Sequence, residues 1–202
     1  MTIRAVFFDF GGVLVRTEFQ APRQHLAGRL GMEYEDLVRI VFESETARQA
    51  TVGAIDEQAH WAATLKTLKL PPDGREALTA EFFGGDVVDR DLIAYLRGLR
   101  PQVRVGLISN AWSGLRGYIT TQGFADAFDH MVISAEVGLA KPGAEIFHLA
   151  LEKLGVRPAE AVFLDDFIAN VEGARAVGMQ AIHFQQPEKA LDELKLILQD
   201  HR

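Results

Sequence analysis

Residues 5–14 read Ala5-Val6-Phe7-Phe8-Asp9-Phe10-Gly11-Gly12-Val13-Leu14. The apolar run Ala5 to Phe8 stops at an acid followed closely by two glycines. A run this short and uniformly apolar has the length of a strand buried on both faces, because a half-exposed strand would alternate. The pattern recurs at Val103 to Ile108, Met131 to Ile133, Ala161 to Leu164 and Ala181 to Phe184. Between the later runs lie helical patterns, Trp112 to Gln122, Ala144 to Leu154 and Ile168 to Val177, with Gly123, Gly155 and Gly178 as stop signals. Strands alternating with helices predict an α/β fold, a three-layer Rossmann-like parallel sheet wound through right-handed crossovers. Pro187 to Gln199 supplies a last helix on the sheet.

The stretch from Thr17 to Gly85 breaks the alternation. It predicts amphipathic helices at Pro22 to Leu30, Tyr34 to Ala47, Ile55 to Leu68 and Gly74 to Phe83, separated by Gly31-Met32, Gly53 and Pro71-Pro72. Length agrees with one domain plus an insertion: 202 residues is about 1.3 domains at roughly 150 residues each. The expected division is a core at residues 1–16 and 86–202 with a helical insertion at 17–85. There is no internal repeat or low-complexity segment.

Apolar residues make up 48% and charged residues 24%, a globular composition that excludes disordered, collagen-like and coiled-coil classes. Lys plus Arg is 21 against 28 for Asp plus Glu, a net charge of −7. Nothing in that field draws in nucleic acid or an anionic membrane, so an anionic ligand needs a local device. The absence of cysteine removes disulfides, thiolate metal sites and a cysteine nucleophile, and fits a cytoplasmic address. The N-terminus carries Arg4 and Asp9 and reads poorly as a signal peptide. No apolar run approaches the roughly 20 residues of a membrane span. A soluble monomer or homodimer is expected, with Ile40 to Phe42 as a candidate dimer surface.

Ligands of open α/β sheets bind at the carboxyl ends of the strands. The first run ends at Asp9, the second at Ser109-Asn110 and the fourth at Asp165-Asp166, while Lys141 follows the third in the loop Gly138 to Gly143. Asp9 has the chemistry of an in-line nucleophile on phosphorus, and the glycines after it let backbone approach a substrate. Asp165 and Asp166 would repel unless a divalent cation neutralised them, and all-oxygen ligation suits Mg²⁺. Ser109 and Asn110 precede a predicted helix, whose N-terminus favours an anion. Lys141 adds a point charge. Taken singly, these residues read more readily as turn residues, helix caps and a solvated lysine. Together, at one edge of one sheet, they would require four coincidences.

In this order the four segments resemble the motifs of the haloacid dehalogenase-like (HAD) hydrolases, nearest to the branch holding the N-terminal phosphatase of soluble epoxide hydrolase and small sugar-phosphate phosphatases. The first motif is similar to Phe7 to Leu14, the second to Leu107-Ile108-Ser109-Asn110, the third to Lys141-Pro142, and the fourth to Asp165-Asp166 with Asn170 and Gly173-Ala174. The helical insertion falls where the family carries its first type of cap. The resemblance implies a Mg²⁺-dependent phosphatase of a small phosphorylated metabolite, with catalytic Asp9 and Lys141 and an aspartyl-phosphate intermediate. It implies metal ligation by Asp9, the Gly11 carbonyl and Asp166, with Asp165 ligating or orienting waters, and phosphoryl oxygens held by Ser109, the Asn110 backbone and Lys141. Trp112, at the mouth of the predicted site, is a candidate substrate contact. Glu18, Phe19, Arg23, Arg48 and Trp61 are further possible contacts from the cap, for each of which ordinary packing or solvation is the stronger reading. The six histidines show no metal-ligand spacing.

One position departs. Gly11 stands where family phosphatases carry a second aspartate as general acid and base, so the carbonyl ligand survives and the proton donor does not. Good leaving groups are therefore expected, an anomeric sugar 1-phosphate, an acyl phosphate or an aryl phosphate, or else an acid borrowed from the cap or a water. Two other readings share the fold. A C–halogen hydrolase also lacks that aspartate and would use a cap-side arginine, with Arg23, Arg29 and Arg39 as candidates. The other is a catalytically weak phosphate-binding or interaction protein.

Overall fold

A computed structural model describes residues 2–100 and 102–199. The five apolar runs become the five parallel strands of one sheet: β1 (Ala5–Phe8), β4 (Arg104–Ser109), β5 (His130–Ile133), β6 (Ala161–Asp165) and β7 (Gln180–His183), in the order β5-β4-β1-β6-β7. The numbers β2 (Val15–Thr17) and β3 (Asp86–Val88) belong to a separate antiparallel ribbon. Register pairs Phe8 with Leu107 on one side and with Leu164 on the other. The carboxyl ends of β4, β1 and β6 thus lie side by side, with β1 in the centre.

The uniform apolarity of the strands follows from burial on both faces. Val6, Phe8, Leu107 and Leu164 face a cluster completed by α6 (Arg90–Leu99), α7 (Leu115–Thr121) and α11 (Pro187–Gln199). Their neighbours Ala5, Phe7 and Phe163 face α9 (Ala144–Leu154) and α10 (Ile168–Ala176). These are the three layers expected. Close packing on the second face leaves Gly106 no room for a side chain: a Cβ there would lie 2.5 Å from the Phe7 ring and 3.2 Å from Leu154. Gly106→Ala should therefore cost about 1–3 kcal/mol, as overpacking does. Urea unfolding would show it as a lower midpoint at unchanged slope; an unchanged midpoint would mean that this face is looser than described.

Between β2 and β3 the chain forms α1 (Ala21–Leu30), α2 (Tyr34–Phe42), α3 (Glu45–Thr51), α4 (Glu57–Thr67) and α5 (Arg75–Phe82). They enclose a cluster of their own around Leu26, Leu37, Trp61, Leu65 and Phe82. The single helix expected at Tyr34 to Ala47 is two. Ser44 breaks it, because its hydroxyl accepts from the Ala47 N–H at 3.2 Å and caps a new helix. In the Ile40 to Phe42 stretch, Val41 is buried in the cluster, while Phe42 is exposed and stacks on Trp112 at 5.9 Å. The expected helix at Trp112 begins only at Leu115, leaving residues 110–114 as a loop. The ribbon that joins the helices to the sheet is held by Arg23, which is buried. Its guanidinium donates to both Asp86 oxygens at 2.7 and 2.9 Å and to the Phe82 carbonyl at 2.9 Å. Among the described residues, no helix is long and apolar enough to cross a membrane.

Candidate active site

Successive connections run from β1 to β4 and β5 on one side and return to β6 and β7 on the other. The crevice at such a reversal, beyond the carboxyl ends of the strands, is where open α/β sheets bind ligands. Asp9 and the Asp165-Asp166 pair flank it. The Asp9 N–H donates to the Leu164 carbonyl at 2.9 Å, so the residue is fixed by the last rung of the ladder.

Lys141 arrives from the loop after α8 (Ser134–Val137), fully buried, and its ammonium lies between two carboxylates. The Nζ is 2.8 Å from Asp9 Oδ1 and 2.6 Å from Asp165 Oδ2. Asp165 is fully engaged: Phe167 N–H donates to Oδ1 at 2.8 Å, and the Asn170 amide reaches both oxygens at 3.0 Å. It acts first as the anchor of Lys141. Asp166 is exposed, with its backbone carbonyl 2.8 Å from His183 Nε2. One carboxylate oxygen from each of Asp9, Asp165 and Asp166 lies within 4.8 Å of the others.

Electrostatics follow from this crowding. Burial pushes the Asp9 carboxyl up to about 7; Lys141 opposes the shift and Asp165 reinforces it. Desolvation and the neighbouring Asp165 also raise Asp166. Three carboxylates against one ammonium leave a formal excess of two negative charges. An all-oxygen cluster with that excess fits a hard divalent cation. Gly12 keeps the cluster tight: at φ +75°, its Cβ would fall 2.0 Å from Asp166 Oδ2. Gly11 is the reverse case, since a Cβ there meets nothing within 4 Å.

Ser109 ends β4 and is buried. The side chain of Asn110 is engaged with the Lys141 backbone: its Oδ1 accepts from the Lys141 N–H and its Nδ2 donates to the Lys141 carbonyl, both at 2.8 Å. Asn110 therefore fixes the Lys141 backbone. Because α7 starts at Leu115, the helix N-terminus expected immediately after Asn110 is displaced by the intervening loop.

A cavity of about 780 Å³ opens over this edge, floored by Phe10, Gly11, Ser109 and Asn110. Trp112 and Trp61 line it, as proposed from the sequence, but Trp61 is also core of the helical cluster. The remaining candidates are placed elsewhere: Arg23 is committed to Asp86, Arg48 pairs with Glu45, Glu18 pairs with Arg16, and Phe19 is exposed. Arg29 and Arg39 pair with Glu81 and Asp36 on the surface. Sequence reasoning missed Phe42, Glu57, Arg75, Phe83 and Tyr118, which also line the cavity. None carries a local signal, because their convergence depends on how helices cross.

An acid at the end of the central strand, an ammonium locked against it and a second acidic strand end define a Rossmann-like α/β protein with reactive groups at its carboxyl edge. The chain belongs to the haloacid dehalogenase-like hydrolases, whose family model matches residues 3–178. It is 25% identical to rat (Rattus norvegicus) bifunctional epoxide hydrolase 2, over 98% of this chain and 39% of that protein. It thus spans well under two-thirds of the length of the mammalian relatives it matches. It is 27% identical to D-ribitol-5-phosphate phosphatase of Bacteroides thetaiotaomicron, over 97% of this chain and 98% of that one. A HAD family enzyme from Bacteroides thetaiotaomicron, solved with magnesium and inorganic phosphate, shares the fold with a TM-score of 0.74. Its identity is 21%, over 89% of this chain and 93% of that chain.

Proposed function

We propose that this hydrolase is a Mg²⁺-dependent phosphomonoesterase that works through an aspartyl-phosphate on Asp9. The observation that carries the reading is Lys141, fully buried between Asp9 and Asp165, with Asp166 completing a three-carboxylate cluster. The likeness to a phosphatase along its full length, and to a fold solved with magnesium and phosphate, supports it. Asp9, Asp166 and the Gly11 carbonyl would hold the ion, with Asp165 beside them. When bound, Mg²⁺ neutralises the cluster and draws charge from the phosphoryl oxygens. Asp9 attacks phosphorus in line, the bond to the leaving oxygen breaks, and water then attacks phosphorus to release phosphate and regenerate the carboxylate. Lys141 and Ser109 hold the phosphoryl oxygens, and Asn110 keeps Lys141 in register. The helices of residues 17–85 act as a cap that closes over the leaving group. The acidic pair and the commitment of Arg23, Arg29 and Arg39 to carboxylate partners weigh against a C–halogen hydrolase. A screen of phosphomonoesters with Mg²⁺ tests the proposal: phosphate should be released from a subset. Release from none, with phosphate still raising the melting temperature, would make the protein a binder instead.

Gly11 sets the leaving-group dependence. Protonation of a leaving oxygen is typically worth about 10²–10⁴ in rate, and glycine cannot supply it. Turnover should therefore rise steeply with leaving-group acidity. Because the space at Gly11 is open, Gly11→Asp should flatten that dependence, raising kcat on alkyl phosphates by about 10²-fold with little change on p-nitrophenyl phosphate. Equal slopes in the two proteins, with chemistry rate-limiting, would show that another group already donates the proton.

A further inference from the structure

The cavity floored by Phe10, Gly11 and Ser109, the first of them next to Asp9 in the chain, has walls that are chemically uneven. Phe10 and Tyr118 meet edge to face at 5.8 Å on the side of the sheet. Phe42 stacks on Trp112 at 5.9 Å, and Trp61 stands edge-on to Trp112 at 5.3 Å. All five rings line the same space. Most of the charged and hydroxyl side chains that reach it already have partners. Glu57 accepts from Trp61 Nε1 at 3.1 Å and from Arg75 at 2.9 Å; Asp86 holds Arg23 and Thr17; Thr51 and Thr79 donate to their own helices. A polyhydroxylated leaving group entering this space would give up water for few partners, and each unpaired hydroxyl would cost binding. A flat apolar group would gain ring contacts and lose little.

A second observation points the same way. The carboxyls lining the cavity, Glu57 and Asp86, are both salt-bridged to arginine, and Gly11 has none, so among the described residues no unpaired carboxyl lines it. A phenolic oxygen departs as its anion far more readily than an alkoxide.

Resting on the phosphatase reading, we infer that the substrate class is an aryl phosphomonoester, whose ring lies against Trp112 and Tyr118 while its phosphoryl group meets Asp9. The balance is simple: the P–O(aryl) bond breaks as the P–O bond to Asp9 forms, the aryloxide leaves with the electron pair, and it takes its proton from solvent.

The test uses the Mg²⁺-loaded protein with 2-naphthyl phosphate, glucose 6-phosphate and acetyl phosphate, the last reporting the phosphoryl site without a ring. KM for 2-naphthyl phosphate should be at least about tenfold below that for glucose 6-phosphate, the scale of one aromatic stacking contact. In Tyr118→Ala and Trp112→Leu, the ratio of kcat/KM for 2-naphthyl phosphate to that for acetyl phosphate should fall by about tenfold each. Taking the ratio within one variant cancels any loss of folded protein. Glucose 6-phosphate binding as well as the naphthyl ester, or a ratio unmoved in both variants, overturns the aromatic assignment alone. No turnover of any of the three, acetyl phosphate included, overturns the phosphatase reading beneath it and this assignment with it.

Discussion

Asp9→Asn should lower turnover of every phosphomonoester by about 10⁴-fold or more, the scale on which removal of a covalent nucleophile is felt. The substitution preserves shape, and one oxygen of the amide can still accept from both Lys141 and the Phe10 N–H, which share Oδ1 in the native site at 2.8 and 2.7 Å. The loss should therefore be chemical. Stability supplies the control. Burial raises the folded pKa of Asp9 to about 7, well above its unfolded value. The folded state then holds a proton that the unfolded chain has released, so in metal-free protein this group costs stability that develops as pH rises from about 4 to about 7. Metal-free Asp9→Asn should equal the native protein in melting temperature at pH 4 and be at least as stable at pH 8. A variant that retains more than about a hundredth of native kcat would place the nucleophile elsewhere.

Lys141→Met should have the largest effect on stability. The native ammonium is fully buried, with a carboxylate oxygen on each side and the Phe163 ring 5.1 Å away. Methionine fills similar space and leaves Asp9 and Asp165 facing each other without a counter-charge. Removing one partner of a buried ionic group typically costs about 3–5 kcal/mol. For a chain of this size that is about 6–20 °C in melting temperature, at 2–4 °C per kcal/mol. Turnover should fall by about 10²–10³ as well, because a donor to the phosphoryl oxygens is gone. Mg²⁺ should recover part of the stability, by binding the folded cluster and not the unfolded chain, and little of the activity. If metal-free Lys141→Met melted within about 2 °C of the native protein, the ammonium would not be holding these carboxylates together.

The parallel core was legible because its signals are local. Ala144–Leu154 and Pro187–Gln199 form helices over the residues expected, and Gly155 closes the first at φ 58°, a conformation that glycine adopts freely. Asp9, Ser109 and Asp165 could be placed because each lies at the end of an apolar run, and a run buried on both faces shows where its strand stops. Three-residue ribbon strands such as Val15–Thr17 and Asp86–Val88 are too short to show a period. Ser44 was invisible as a break because it lies inside a continuous helical pattern. The division of labour around Lys141 was also hidden. Nothing in Asn110 or Asn170 distinguishes a ligand contact from a bond that holds a lysine or an aspartate in place. The walls of the cavity depend on the crossing of α2, α4 and α7, which no spacing encodes.

The most direct test of the account is chelation. The protein, stripped with EDTA, should not hydrolyse p-nitrophenyl phosphate, and Mg²⁺ in excess of the chelator should restore turnover that Asp9→Asn does not recover. Undiminished phosphate release in EDTA, or hydrolysis of chloroacetate under the same metal-free conditions, would contradict it.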